Sequence, residues 1–196
     1  ITTRFGPNGY RFKLEPTADE TFMIVDEARF YEGGTSGWWE LGSGQSTPEL
    51  LKDKDRRGAV GGPSVSSYVY DAISSWKIYH FHDTSKLAPM RRHAPIYDTK
   101  YLRFDASNIA PFLYDLRESS PGVYEQSVDT IRLVTPFFDD FILRPSRNEK
   151  VCLRWSQKGA DYPLKPHHLS DGSLRFICLT TALMQPEPPS TVIIDE

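Results

Sequence analysis

Only two cysteines occur among the 196 residues, Cys152 and Cys178, and they show no CxxC spacing. That excludes a disulfide scaffold and a cysteine-only zinc site. It fits a reducing compartment, so a cytoplasmic location is expected. No run of 18 apolar residues is present, which leaves no candidate transmembrane helix. Excess charge of one sign is also lacking: Lys plus Arg is 23 against 26 for Asp plus Glu, a net charge of −3, and the sequence pI is near 6.0. That balance makes no global electrostatic case for a nucleic-acid or membrane partner. Glycine (13) and proline (15) stay below the low-complexity range.

What remains is the composition of a globular chain, 39% hydrophobic and 25% charged. At this length it can hide about 70% of the surface its unfolded form exposes. The ends carry their own signal. The chain opens on Ile1-Thr2-Thr3-Arg4 and stops at Ile193-Ile194-Asp195-Glu196, directly after an apolar β-branched run. It is expected to be an internal piece of a longer protein.

Residues 10–14 alternate apolar and polar, and 21–31 continue in the same style around Thr17-Ala18-Asp19-Glu20. This pattern predicts antiparallel strands over 1–32. Residues 33–63 hold eight glycines, the pair Trp38-Trp39 and the charge cluster Lys52-Asp53-Lys54-Asp55-Arg56-Arg57. A flexible loop is expected there, with the tryptophans anchoring it. Residues 64–168 read as a helical and strand subdomain. It contains a helix over 66–76, a strand over 77–81, and a helix capped by Ser107 and broken at Ser119-Ser120-Pro121-Gly122. A second helix from about Val123 carries Val128, Ile131, Val134 and Phe137, and strands at 141–143 and 151–155 follow. Ser170 caps a final helix, and 191–194 reads as a buried strand of the parallel-sheet type. The class is mixed α/β or α+β.

The sharpest chemical signal is in 169–196. A helix opening Leu169-Ser170-Asp171-Gly172-Ser173 offers a hydroxyl, an unobstructed glycine backbone and unpaired N–H groups at the positive end of the helix dipole. Those are the elements of a phosphate-binding end. An apolar strand finishing Asp195-Glu196 puts carboxylates at the carboxyl edge of a sheet, where one can hold Mg²⁺ and the next can orient an attacking water.

Leu169-Ser170-Asp171-Gly172-Ser173 resembles the LSGGQ signature of ABC-type ATPases, and Val192-Ile193-Ile194-Asp195-Glu196 resembles their Walker B strand. Ser170 and Asp195 are 25 positions apart, with a helix and a Pro-rich turn between them, as in that superfamily. Within it, three stretches are similar to the predicted AAA-type ATPases related to RecF, SMC and OLD proteins. These are Leu-Ser-Asp-Gly-Ser-Leu-Arg-Phe from Leu169, His80-Phe81-His82-Asp83-Thr84-Ser85, and Leu102-Arg103-Phe104-Asp105-Ala106-Ser107-Asn108. The resemblance implies that Asp195 sits in the Mg²⁺ shell and Glu196 positions or activates the hydrolytic water. It implies that Ser170, Asp171, Gly172 and Ser173 form the signature, with Ser170 and Gly172 meeting the γ-phosphate of ATP held by a partner copy. A homodimer closed around ATP and driving DNA-related work (repair, recombination or defence) is the implied function, with DNA or an attached effector or nuclease as partner. No GxxxxGK[ST] loop occurs in the 196 residues, so only part of a nucleotide site is expected here, inactive alone. A transporter's nucleotide-binding subunit and a non-catalytic interaction module are the alternatives.

Other residues have plainer readings. His167-His168 read as exposed loop histidines, His80 and His82 as structural or hydrogen-bonding, and Asp139-Asp140 as a cap. Arg56-Arg57 and Arg91-Arg92 read as solvated loop charge, and both cysteines as buried and inert.

Overall fold

The computed structural model of the protein describes residues 2–3, 6–32, 37–58 and 61–195, and the chain divides into two compact units, Ile1–Trp76 and Lys77–Glu196. The first unit is an antiparallel sheet in the order β1 (Thr2–Thr3), β2 (Gly6–Pro16), β3 (Phe22–Tyr31), β4 (Gly37–Gly42). Alternation in the sequence produces the β2–β3 hairpin. Its turn is closed by Thr17 N–H donating to Thr21 O at 2.9 Å, and the Thr17 and Thr21 hydroxyls both donate to the Asp19 carboxylate.

The segment expected to be a flexible loop contains β4, a short helix α1 (Leu50–Asp53) and the start of the turn that leads into α2 (Val65–Ser74). Gly37 and Gly42 mark the ends of β4 rather than a lack of structure. Side chains alternate across a strand, so the adjacent tryptophans leave opposite faces of β4. The Trp38 ring meets Phe30 and lies under the Arg11 guanidinium, whereas Trp39 lies under that of Arg29.

Few apolar side chains are buried among the described residues of this unit: Ile24, Ala28, Leu50 and Val69. Buried polar groups do the rest of the joining. Glu27 is fully buried, and four donors surround its carboxylate. Tyr10 Oη and the Leu50 N–H donate to Oε1 at 2.9 Å each, and Gln45 Nε2 and the Glu49 N–H donate to Oε2 at 2.9 and 2.8 Å. One side chain of β3 thus fastens β2, the segment after β4 and the start of α1. Burial, helped by the hydrogen bond to Glu27, pushes the Tyr10 phenol above its ordinary range.

The second unit contains β5 (Lys77–Tyr79), β6 (Ala94–Pro95), α3 (Ile109–Ser119), α4 (Pro121–Val134), β7 (Phe138–Ile142), β8 (Lys150–Val151), β9 (Arg154–Gln157), α5 (Asp171–Leu183) and β10 (Val192–Ile194). The strands form three two-stranded ladders: β5 with β10 in parallel, and β6 with β8 and β7 with β9 antiparallel. The helices pack on one another around a single core that includes Tyr79, Met90, Leu113, Ile131, Trp155 and Ile177.

Three local expectations are corrected. The cap position of α3 is Asn108, not Ser107. Its side chain does not cap the helix but is consumed by the preceding loop, accepting from Arg103 N–H and donating to Asp98 O and Tyr101 O. On α4 the buried face is Tyr124, Ser127, Val128 and Ile131, while Val134, the last residue of the helix, and Phe137, beyond its end, are exposed. Asp139 and Asp140 lie within β7 rather than at a cap: Asp140 accepts from Tyr124 Oη at 2.8 Å and Asp139 from Ser156 Oγ at 3.1 Å.

Replacing Glu27 with Ala strands four donors in the first unit. The expected cost is about 2–4 kcal/mol, read as a lower urea midpoint in tryptophan fluorescence. Glu27→Gln is expected to recover only part of it, because its amide NH₂ must face a backbone N–H. An unchanged midpoint for Glu27→Ala would show that the carboxylate does not organise the unit.

Candidate functional site

Helix α5 forms because Leu174, Ile177, Cys178 and Thr181 repeat at helical spacing and are buried as one stripe. Leu169, also buried, fixes the chain just ahead of it. Ser170 is the cap: its Oγ accepts from Ser173 N–H at 3.0 Å and lies 2.9 Å from Ser173 Oγ. Asp171 and Gly172 face solvent, and a side chain at Gly172 would meet nothing within 4 Å. The first turn therefore presents N–H groups across an open approach at the positive end of the helix.

The feature that holds this turn in place has the sequence pattern of loop charge. Arg91 ends a short 3₁₀ turn, Pro89–Arg91, and its side chain is only 6% exposed. Its Nε donates to Thr84 O at 3.0 Å, and its Nη1 donates to Pro166 O and Leu169 O. Its Nη2 meets Asp171 Oδ1 at 2.9 Å. One guanidinium thus clamps both sides of the loop before α5 and the first residue of the helix. A buried arginine is stable only where its donors find acceptors, and here four do. No sequence signal distinguishes Arg91 from its exposed neighbour Arg92, since its acceptors lie up to 80 positions away.

Beyond α5 the chain returns as β10, which pairs in parallel with β5 through Val192–Lys77, Ile193–Ile78 and Ile194–Tyr79. The Asp195 N–H continues the ladder by donating to Tyr79 O at 2.9 Å. The strand is parallel as expected but not buried: Ile193 and Ile194 are 40% and 44% exposed. Its single neighbour among the described residues is β5, so no second layer or flanking strand encloses both faces. Asp195 lies at the strand's carboxyl end, its side chain 69% exposed and its Oδ2 3.4 Å from His80 Nδ1. Glu196 lies outside the described residues.

Asp195 shares a small cavity of about 30 Å³ with Phe81, His82, Arg175, Leu179 and Ile194. Arg175 also donates to His82 O at 3.1 Å. It follows Ser170 by five residues, roughly 7 Å along the helix axis. The fold therefore brings Asp195 beside the second turn of α5. No hydrogen bond or ion pair joins Asp195 to residues 170–173 among the described residues.

Among the described residues no three His, Cys, Asp or Glu side chains converge as a metal cage. Asp195 alone fits one share of a Mg²⁺ shell, because Mg²⁺ commonly takes one or two carboxylates and fills its remaining positions with phosphate oxygens and water. His167 and His168 are exposed, and His168 Nδ1 accepts from Lys165 N–H at 3.3 Å. Partial desolvation, with the neighbouring His168 and nearby cations, holds His167 below its ordinary value. Both cysteines are buried, and burial pushes the Cys178 thiol well above its ordinary range, leaving it unreactive.

Small sheets layered with helices, a strand ending in a carboxylate, and an open capped helix start are together consistent with an AAA-type domain of the P-loop ATPase class. Over residues 30–196 the chain matches the family described as "AAA domain, putative AbiEii toxin, Type IV TA system", and it belongs to that family. No curated protein and no solved structure gives a match. The family match reaches the AAA domain as a class; the narrower likeness to RecF, SMC and OLD proteins rests on the motifs alone. No helix among the described residues is long and apolar enough to cross a membrane.

Two substitutions separate the buried clamp from its exposed partner. Arg91→Ala is expected to cost about 2–4 kcal/mol in chemical denaturation, because Thr84 O and Leu169 O are left without that donor and Pro166 O loses one of its two. Asp171→Ala is expected to cost less than about 1 kcal/mol, since that carboxylate is mostly solvated. Arg91→Lys should not restore stability, because an ammonium cannot span the same acceptors. Equal losses for the two alanine variants would contradict this assignment.

Proposed function

We propose that the chain is the signature-bearing part of an ATPase head that dimerises around ATP and Mg²⁺, of the RecF, SMC and OLD type. The observation that carries this reading is the start of α5, capped by Ser170, open at Gly172 and clamped by the buried Arg91. In this reading the Gly172 N–H and the Ser170 hydroxyl meet the γ-phosphate of ATP held by a partner copy. Asp171 belongs to the same nucleotide-facing signature, and with one oxygen on Arg91 it orients the turn. Asp195 supplies a carboxylate to Mg²⁺, and Glu196 orients the attacking water. The 196 residues contain no GxxxxGK[ST] loop, so the cradle for the α- and β-phosphates comes from outside them. Closing two such heads around ATP is the work step, with DNA or an attached effector as the object of that work. The family description favours defence among the processes such heads serve.

The test is Mg²⁺-dependent ATP turnover by the product of the longer reading frame. Glu196→Gln is expected to keep ATP-dependent dimerisation and lower turnover by at least about 100-fold, the usual scale for removing a water-activating group. Ser170→Arg is expected to block dimerisation by filling the open approach. Turnover unchanged in both variants would overturn the proposal.

A further inference from the structure

A larger cavity, of about 430 Å³, lies wholly within the first unit. Its lining includes three arginines, Arg29, Arg56 and Arg57, and three rings, Tyr31, Trp39 and Tyr68. Asp53 is the one carboxylate on its wall among the described residues, leaving a net charge of +2 on that lining in a chain whose net charge is −3.

The arrangement is built rather than incidental. Asp53 is buried, and its two oxygens are shared among three groups. Arg29 Nη1 lies 2.7 Å from Oδ2, Ser66 Oγ donates to the same oxygen at 2.6 Å, and Arg56 Nη1 lies 3.3 Å from Oδ1. One carboxylate therefore orders two guanidiniums at the cavity wall without neutralising both. The Arg29 Nε is buried and has no hydrogen-bond partner among the described residues, and its guanidinium carbon sits 5.5 Å from the centre of the Trp39 ring. A buried donor with nothing to donate to costs free energy unless a ligand meets it.

Arg57 makes no ion pair among the described residues and is held at the rim by its bridge to Pro63. That bridge needs glycine at position 58, where an added Cβ would stand 2.9 Å from Pro63 O. Gly61 has a φ of +80°, a conformation that other residues rarely adopt.

Guanidiniums recognise phosphate by paired charge-assisted hydrogen bonds, and aromatic side chains stack on nucleobases for about 1–3 kcal/mol each. The volume falls in the usual range for a small-molecule site, roughly 300–1,000 Å³. We infer that this cavity binds a nucleotide, its phosphate on Arg29, Arg56 and Arg57 and its base against Trp39 and the tyrosines. The nucleotide is either free or the 5′-terminal residue of a single strand. This site is separate from the α5 turn, and its test does not depend on ATP turnover.

The test is calorimetric titration of the 196-residue chain with AMP, adenosine, inorganic phosphate and a 5′-phosphorylated hexathymidylate. AMP or the oligonucleotide is expected to bind saturably, at least about tenfold tighter than adenosine or inorganic phosphate, because base and phosphate contacts act together. Arg57→Ala should weaken that binding about tenfold or more, the scale of one charge-assisted hydrogen bond. Trp39→Ala should weaken it while leaving the affinity for inorganic phosphate unchanged. The Arg57 side chain is exposed, so Arg57→Ala should keep the wild-type urea midpoint. Tighter binding of AMP identifies the ligand as a free nucleotide, and tighter binding of the oligonucleotide identifies a strand end. No saturable binding of either at millimolar concentration overturns the inference. So does affinity unchanged in both variants, or inorganic phosphate binding as tightly as AMP.

Discussion

A charged side chain taken out of water must have its hydrogen-bonding capacity met, and that constraint organises each unit of this protein. In the second unit Arg91 is almost wholly buried, and its guanidinium spans Thr84 O, Pro166 O, Leu169 O and the Asp171 carboxylate. In the first, Glu27 receives four donors and Asp53 is shared between Ser66 and two arginines. Burying such groups unpaired is far more costly than burying apolar ones. The first unit, with few buried apolar residues, is held as much by these polar centres as by hydrophobic contact.

The candidate phosphate-binding turn inherits its order from that arrangement. A helix start is open to a ligand only if the chain before it is fixed by something other than the exposed N–H groups. The Arg91 clamp, the buried Leu169 and the Ser170 cap do this from behind and below. The Gly172 side is left free. The parallel pairing of β10 with β5 then carries Asp195 back to the second turn of the same helix, so the second unit holds both chemical motifs.

Glycine-rich stretches mislead when composition is read without partners. The segment 33–63 has the residues of a loop, yet its described part includes a strand, a short helix and a cavity wall, because Trp38 and Trp39 find partners on the sheet. The apolar run 192–194 misled in the opposite direction. It reads as a buried strand, but burial requires layers on both faces, and two of its isoleucines are substantially exposed.

Local periodicity and capping were legible in the sequence alone. The β2–β3 hairpin, the final helix behind Ser170 and the parallel character of β10 follow from alternation, helical spacing and a β-branched run, each set by near neighbours. The signature-like and Walker-like motifs were legible for the same reason, and the family match over 30–196 agrees with an ATPase-type domain. Tertiary structure alone decided which charges are buried. Arg91 and Arg92 are identical neighbours, yet one is a clamp and the other is exposed, because the acceptors of Arg91 include carbonyls 75 and 78 positions away. The convergence of Arg29, Arg56 and Arg57 around Asp53 arises in the same way. Segments distant in sequence meet there, and no spacing rule specifies which charges will share a wall.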